Sequence, residues 1–283
     1  MDKKILLKRM RQSIFFMTGF SSVILILLSL LLPIFIDWDP IATNLGNRLL
    51  EPQWFSYGLG GHILGTDQLG RDVLVRLLLG GRYSLLIALV VIILQNVIGV
   101  VLGILAGYYG KIVDAIVMRA CDVFLAIPNL ILAIAVMAIL GTSTFNLIMV
   151  LSFSGWVQVC KVIRNDVRVI KRQEFVHASA ALGAGRMHIM FRQIFPNVTT
   201  NMLIIGSQRF GMIILLESTL SFLNLGVQPP LPSWGNMISA GRAFLATHPW
   251  LVLAPGFALM LTVLAFNFLG DGMRDVLDQK RKV

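Results

Sequence analysis

Charge is scarce in this chain. Only 13% of its 283 residues are Asp, Glu, Lys or Arg, against roughly 25% in an ordinary soluble domain. The hydrophobic share is 57% and the mean hydropathy is +0.81. A soluble globule of this size keeps too much surface to hide that much apolar side chain. A soluble enzyme, a nucleic-acid module and a disordered tail are all excluded. Cysteine is nearly absent. Cys121 and Cys160 are too few for a disulfide framework and fit no metal motif, so they read as small membrane-helix residues. The four histidines, His62, His177, His188 and His248, all lie outside the apolar runs, and no metal site is expected. There is no G-x-x-x-x-G-K-[ST]. The nearest string, Gly107-Tyr108-Tyr109-Gly110-Lys111, has the wrong spacing to cradle phosphates. H-E-x-x-H and G-x-S-x-G are missing too, so no hydrolytic site is expected. No internal repeat is visible, which weighs against an inverted-repeat secondary transporter.

What is present is apolar runs of membrane-spanning length. Six stand out, at about 14–36, 84–106, 112–140, 145–163, 202–225 and 251–269. Each approaches the length that crosses ~30 Å of hydrocarbon at ~1.5 Å per residue. The first has the basic start of a signal peptide, but it is too long and no small-x-small cleavage site follows it. It reads as a retained anchor. The net charge of +10 flanks these runs instead of clustering with aromatics as nucleic-acid binders do. With the N-terminus inside, 18 basic residues fall on the inner side and 5 on the outer, with Arg209 inside the fifth run left uncounted. The positive-inside rule then puts both termini in the cytoplasm. This divides the chain into a cytoplasmic N-terminus (1–13), a first transmembrane helix (14–36), an external segment (37–83), a five-helix core (84–270) and a cytoplasmic tail (271–283). The core contains a cytoplasmic loop at 164–201 and an external Pro-rich segment at 226–250.

Asp122 and Glu217 are acids that stand well inside the runs. Ionisable groups at that depth face protein or water. Asp122 stands three residues after Arg119 and is expected to pair. Glu217 has no basic residue within four positions, which makes it the candidate for lining a passage, with a satisfied packing role as the alternative. Pro128 and Pro255 are expected to kink their helices. Gly99, Gly103 and Gly107 form one small face, suited to close packing against a helix of this chain or of a partner.

Four motifs occur in order. The first is His62-Ile63-Leu64-Gly65-Thr66-Asp67-Gln68-Leu69-Gly70-Arg71-Asp72. Thr66 or Asp67 is placed to cap a helix starting near Gln68, and Asp72 and Arg76 are spaced to pair. The second is Glu174-Phe175-Val176-His177-Ala178-Ser179-Ala180-Ala181-Leu182-Gly183-Ala184-Gly185, followed by Pro196. Its small residues would let another protein approach a short helix closely. An amphipathic helix at the membrane interface is the plainer reading. The third runs from Leu220 to Gly235 through Gly226, Pro229, Pro230 and Pro232, with Trp234 suited to a membrane interface. The fourth is Phe266-Asn267-Phe268-Leu269-Gly270-Asp271-Gly272-Met273-Arg274-Asp275, where Asp271 and Arg274 are placed to anchor the end of the last helix.

The second motif resembles the E-A-A-x3-G-x9-I-x-L-P loop of ATP-binding-cassette importer permeases. Ala178, Gly183 and Pro196 match it. His177 replaces the Glu, Ser179 the second Ala, Gln193 the Ile and Phe195 the Leu. The first, third and fourth resemble segments of the dipeptide, oligopeptide and nickel permeases, with Asn224 in place of a Gly. The resemblance implies an all-α membrane protein with six transmembrane helices and the type I importer fold. It implies that Glu174, His177, Ala178, Ser179, Ala181, Leu182, Gly183, Ala184 and Pro196 dock on an ATPase. The partners implied are a homologous second permease, two ATP-binding-cassette ATPases and an external substrate-binding protein, in the lipid of a prokaryotic cytoplasmic membrane. ATP and Mg would sit on the ATPases, with no cofactor in this chain. The cargo implied is a di- or oligopeptide, alternatively nickel or a metal chelate. An ion-coupled secondary transporter is the distant alternative.

Overall fold

The computed structural model describes residues 13–35, 39–53 and 61–277 and is all-helical, with one isolated antiparallel bridge between Thr66 and Asp72. The basic residues of 1–12, Trp54 and Lys280, Arg281 and Lys282 lie outside the described residues. Nine helices of eight residues or more occur among the described residues. They are α1 (Ile14–Phe35), α2 (Val73–Tyr109), α3 (Lys111–Leu125), α4 (Asn129–Leu140), α5 (Thr144–Ile170), α6 (Glu174–Ala181), α7 (Phe195–Phe222), α8 (Trp234–Gly241) and α9 (Trp250–Leu277).

Among the described residues, four helical stretches are long and apolar enough to cross a membrane: α2, α5, α7 with the turns before it, and α9. Counting the α3–α4 pair as one span makes five. In α1 the apolar stretch Ile14–Leu28 falls in a shorter class. The apolar runs underestimate helix length. The second run starts at 84, yet α2 starts at Val73, within the segment read as external. Asp72 sets that start: its carboxylate accepts a hydrogen bond from the Val75 amide at 3.0 Å. A cap at Thr66 or Asp67 is therefore corrected to Asp72. The third run, read as one kinked span, is two helices bent by 82°. Pro128 lacks an N–H and excludes the helical conformation before it, so α3 stops at Leu125 and α4 begins after Pro128. The other proline, Pro255, lies near the start of α9, and the helix continues through it.

The bundle is built on the seam between α2 and α5, its most extensive helix contact. Between helices in lipid there is little hydrophobic drive, so close van der Waals packing has to hold them. The glycine face supplies it, within this chain. A Cβ on Gly99 would stand 2.6 Å from Val159 Cβ. One on Gly103 would stand 2.8 Å from the Cys160 carbonyl, and one on Gly107 2.7 Å from Val167 Cβ. The seam's end near Gly107 is tied by Asp114 of α3. It accepts hydrogen bonds from Arg164 (Nη2 at 2.7 Å) and from Arg168 of α5 (2.6 Å). α9 packs on α1 and α7, and α8 wedges against α7 and α9. Val91, Met137, Leu147, Ile214 and Leu220 lie in the centre of the main core.

Candidate functional site

The segment 174–196 sits at one end of the bundle. α5 ends at Ile170, a turn follows, and α6 begins with Glu174 in its first turn, where a carboxylate favours the helix dipole. Val176, the one buried residue of the helix, packs with Ile189, Met190 and Ile194 and fixes it to the bundle. Its end is a Schellman cap. The Ala184 amide donates to Ser179 O at 3.1 Å and the Gly183 amide to Ala180 O at 3.0 Å, with Gly183 at φ +87°. A Cβ there meets nothing in this chain, so glycine is needed for its backbone angle and not for intrachain space. Gln193 donates to the Ser179 hydroxyl and ties the cap to the following turn. Glu174, His177, Ala178, Ala181 and Leu182 stay exposed, Leu182 at 89%. Ahead of α7 the chain makes a π turn, Ile189–Ile194. Pro196, at the start of α7, has no N–H for the Arg192 carbonyl four residues back, which accounts for the widened turn.

The first motif folds into a clasp at the other end of α2. Gly65 and Gly70 take φ +72° and +71°, angles that favour glycine. Asp67 accepts hydrogen bonds from the Leu69 amide (2.8 Å), the Arg71 amide (3.0 Å) and Arg71 Nε (2.7 Å), with Arg76 Nε at 3.5 Å. Arg76 donates to Pro40 O at 3.0 Å. The expected Asp72–Arg76 pair is thus corrected. Arg76 lies beside Asp67, and Asp72 caps α2 while meeting His62 Nδ1 at 2.7 Å. Thr66 accepts from the Leu50 amide at 2.8 Å and donates to Asn47 O, which binds residues 47–50 to the clasp.

The third motif closes the same end. Glu217 is fully buried. Its carboxylate accepts from Ser221 Oγ at 2.8 Å and Ser218 Oγ at 3.3 Å, with the buried Ser84 of α2 beside it. Ser221 Oγ in turn accepts from the Val227 amide at 3.1 Å, linking the carboxylate to the turn after α7. Pro229 and Pro230 form the turn leading to α8, and the peptide between them is cis. Ser233 and Asn236 make a reciprocal capping box on α8. Trp234 was expected at a membrane interface. It is buried instead, and its indole donates to Leu77 O of α2 at 2.9 Å, because Gly81 opens room for the ring and Gly80 for the Ser233 backbone before it.

In the fourth motif, Gly270 lets α9 approach Gln208 of α7, and Asp271 accepts from Gln208 Nε2 at 3.0 Å. The expected Asp122–Arg119 pair does not form. The partner of Asp122 is Lys161 of α5, at 3.7 Å, with both side chains well exposed, a contact worth about 0–1 kcal/mol.

One polar cluster escaped the sequence reading. Arg209 of α7 donates from Nη2 to Gln95 Oε1 of α2 at 3.0 Å and from Nη1 to Gln158 Oε1 of α5. Gln95 is oriented by its own bond to Leu151 O at 2.8 Å. Gly155 makes the room: a Cβ there would stand 2.7 Å from Arg209 Nη2. The signal in the sequence is a lone arginine inside an apolar run.

Residues 99–283 match the family of binding-protein-dependent transport system inner membrane components. The chain belongs to this family. It is 41% identical over 221 residues to the glutathione transport system permease protein GsiD of Pectobacterium atrosepticum, covering 78% of this chain and 73% of that protein. It is 37% identical over 260 residues to the dipeptide transport system permease protein DppC of Haemophilus influenzae, covering 92% and 88%. The oligopeptide transport system permease protein OppC of Bacillus subtilis is 36% identical over 258 residues, covering 91% and 83%. This permease is therefore a multi-pass inner membrane transport subunit that works with ATPase, permease and binding-protein partners.

Proposed function

We propose that this permease forms half of the path by which an ATP-driven importer takes up di- or oligopeptides, glutathione among them. The observation that carries the reading is the agreement of its relatives, whose transport systems handle glutathione, dipeptides and oligopeptides. They favour a peptide over nickel as cargo. The six-helix, type I importer architecture with both termini in the cytoplasm belongs to the same proposal. So do the homologous second permease, the two ATPases that carry ATP and Mg, and the external binding protein. Segment 174–185 is its coupling element. The support is physical: Val176 is the one buried residue of α6, and the segment leaves Phe175 half-exposed and Leu182 almost wholly exposed. Glu217 takes the packing role, since its oxygens face serines of the bundle and none of its surface is open.

The test uses the reconstituted importer. Leu182→Cys should crosslink to an ATPase subunit, and uptake of a labelled dipeptide should need ATP. In intact cells Ile63→Cys should react with an impermeant thiol reagent and Leu182→Cys should not. No crosslink in a transporting complex would reject the coupling role, and the opposite labelling would reject the orientation.

A further inference from the structure

We propose that Arg209, held by Gln95 and Gln158, is an anion site in the translocation path that receives a carboxylate of the peptide cargo. Arg209 lies roughly 20 Å from either end of α7 at ~1.5 Å per residue, which is mid-helix. Gln158 is likewise mid-helix in α5. The cluster thus sits near the centre of the span, where a cation facing lipid is expensive and one facing water or a ligand is functional. No carboxylate lies within ion-pair distance of Arg209 among the described residues. Among the described residues the charge is met by carbonyl dipoles, three contacts to the oxygens of Gln95 and Gln158. A guanidinium has five N–H donors, so two are left for a ligand. Gln158 is exposed and Arg209 is partly buried, so the cluster reaches a face of this subunit instead of being sealed in its core.

The arrangement is built, not incidental. Gln95 is turned by Leu151 O so that its own oxygen meets the cation, and Gly155 vacates the space that both side chains fill. Two neutral oxygens orient the guanidinium without neutralising it. A buried carboxylate partner would have cancelled the attraction for an anion. The choice of anion rests on the peptide-import reading. Side chains differ between peptides, but dipeptides, oligopeptides and glutathione all carry a free carboxylate. Guanidinium recognises that group with paired charge-assisted hydrogen bonds. One cation at mid-depth suits a path that must accept many sequences and ignore their side chains.

Two measurements on the complete importer in liposomes test this, and the first does not depend on the cargo. Gln158→Cys is reacted with an anionic and a cationic thiosulfonate, and the background of the buried Cys121 and Cys160 is subtracted. The anionic reagent should react faster, by about threefold or more, and the preference should vanish in Gln158→Cys with Arg209→Gln. An unreactive Gln158→Cys, or equal rates, would overturn the site. That result would also follow if an acid of the partner permease covered Arg209. The second compares uptake of a peptide with that of its C-terminal amide, chosen so that the binding protein holds both. Arg209→Gln should lower uptake of the free acid roughly tenfold or more and leave the amide nearly unchanged. Arg209→Lys should restore part of the difference. An equal fall for both peptides would reduce Arg209 to a structural residue. If the wild-type importer takes up neither peptide, the cargo reading fails, and the labelling preference alone decides the anion site.

Discussion

The seam between α2 and α5 makes a sharp quantitative test, because one substitution type should change sign with position. Consider Gly103→Ala. The added Cβ would stand 2.8 Å from the Cys160 carbonyl and 2.9 Å from Ile163 Cβ. Carbon contacts rest at about 3.5–4.0 Å, so the helices must part by close to ~1 Å. A gap of that size forfeits a quarter to a half of each neighbouring dispersion contact, and Gly99 and Gly107 share the same seam. Overpacking of this kind costs ~1–3 kcal/mol. Against it stands the helix preference of Ala over Gly, ~1 kcal/mol. The net expectation is destabilisation by up to about 2 kcal/mol. Gly256→Ala in α9 is the control. A Cβ there meets nothing within 4 Å, so only the propensity gain of ~1 kcal/mol remains and the variant should be more stable. The assay is reversible unfolding of the purified subunit in mixed micelles titrated with a denaturing detergent. If both variants move in the same direction, the close approach at Gly103 does not constrain the helices, and the account of the seam is wrong.

Three further outcomes follow from the same geometry. Gly183→Asn should retain most transport and Gly183→Val should lose it, since both fit the open space but only Asn tolerates φ +87°; ATP-driven peptide uptake with subunit co-purification reads this, and equal transport by both would refute the backbone requirement. Glu217→Gln keeps an acceptor for Ser221 and should assemble and transport normally. Glu217→Leu strands two hydroxyl donors at ~1 kcal/mol or more each and should reduce recovery of the assembled complex; a Gln variant that slowed cationic cargo selectively would instead restore the passage role. Asp67→Asn removes the carboxylate shared by Arg71 and Arg76, both nearly buried, and breaking such a group costs ~3–5 kcal/mol. Limited proteolysis between residues 39 and 72 should accelerate, and an unchanged cleavage rate would show that the clasp holds without it.

The sequence makes the apolar centres of the long helices legible, because a span in lipid has to be apolar and long. Helix ends are less legible. α2 continues eleven residues before its apolar run, carrying Arg76 and Arg82, because its start depends on the Asp72 cap and the burial of Arg76 on a clasp formed by residues 40–50 and 62–72. Local spacing misleads on ion pairs for the same reason. Asp122 prefers Lys161, 39 positions away, over Arg119 three away, and no helical rule announces a partner on another helix. The Gly183–Pro196 spacing was informative because both residues are needed for backbone reasons, a positive φ and a missing N–H, which do not depend on neighbours.

The intramembrane charges show where sequence reasoning needs the third dimension. Glu217 and Arg209 are eight residues apart on one helix, which at ~100° per residue sets them about 80° apart around its axis. That modest angle decides everything. One side chain turns into serines of the bundle and is enclosed, while the other turns to the seam between α2 and α5 and stays half-buried. Ranked by local sequence alone, the acid without a neighbouring base looks like the passage residue, and the arginine looks like an exception to an orientation rule. The cost of charge at depth applies to both, and each is relieved differently. Glu217 is relieved by hydroxyls on its own element, which leaves no surface for a ligand. Arg209 is relieved by amide oxygens from two other helices, which leave donors open. A charge whose compensation is incomplete, and whose helix presents it to a gap between other helices, is the one able to respond to what passes.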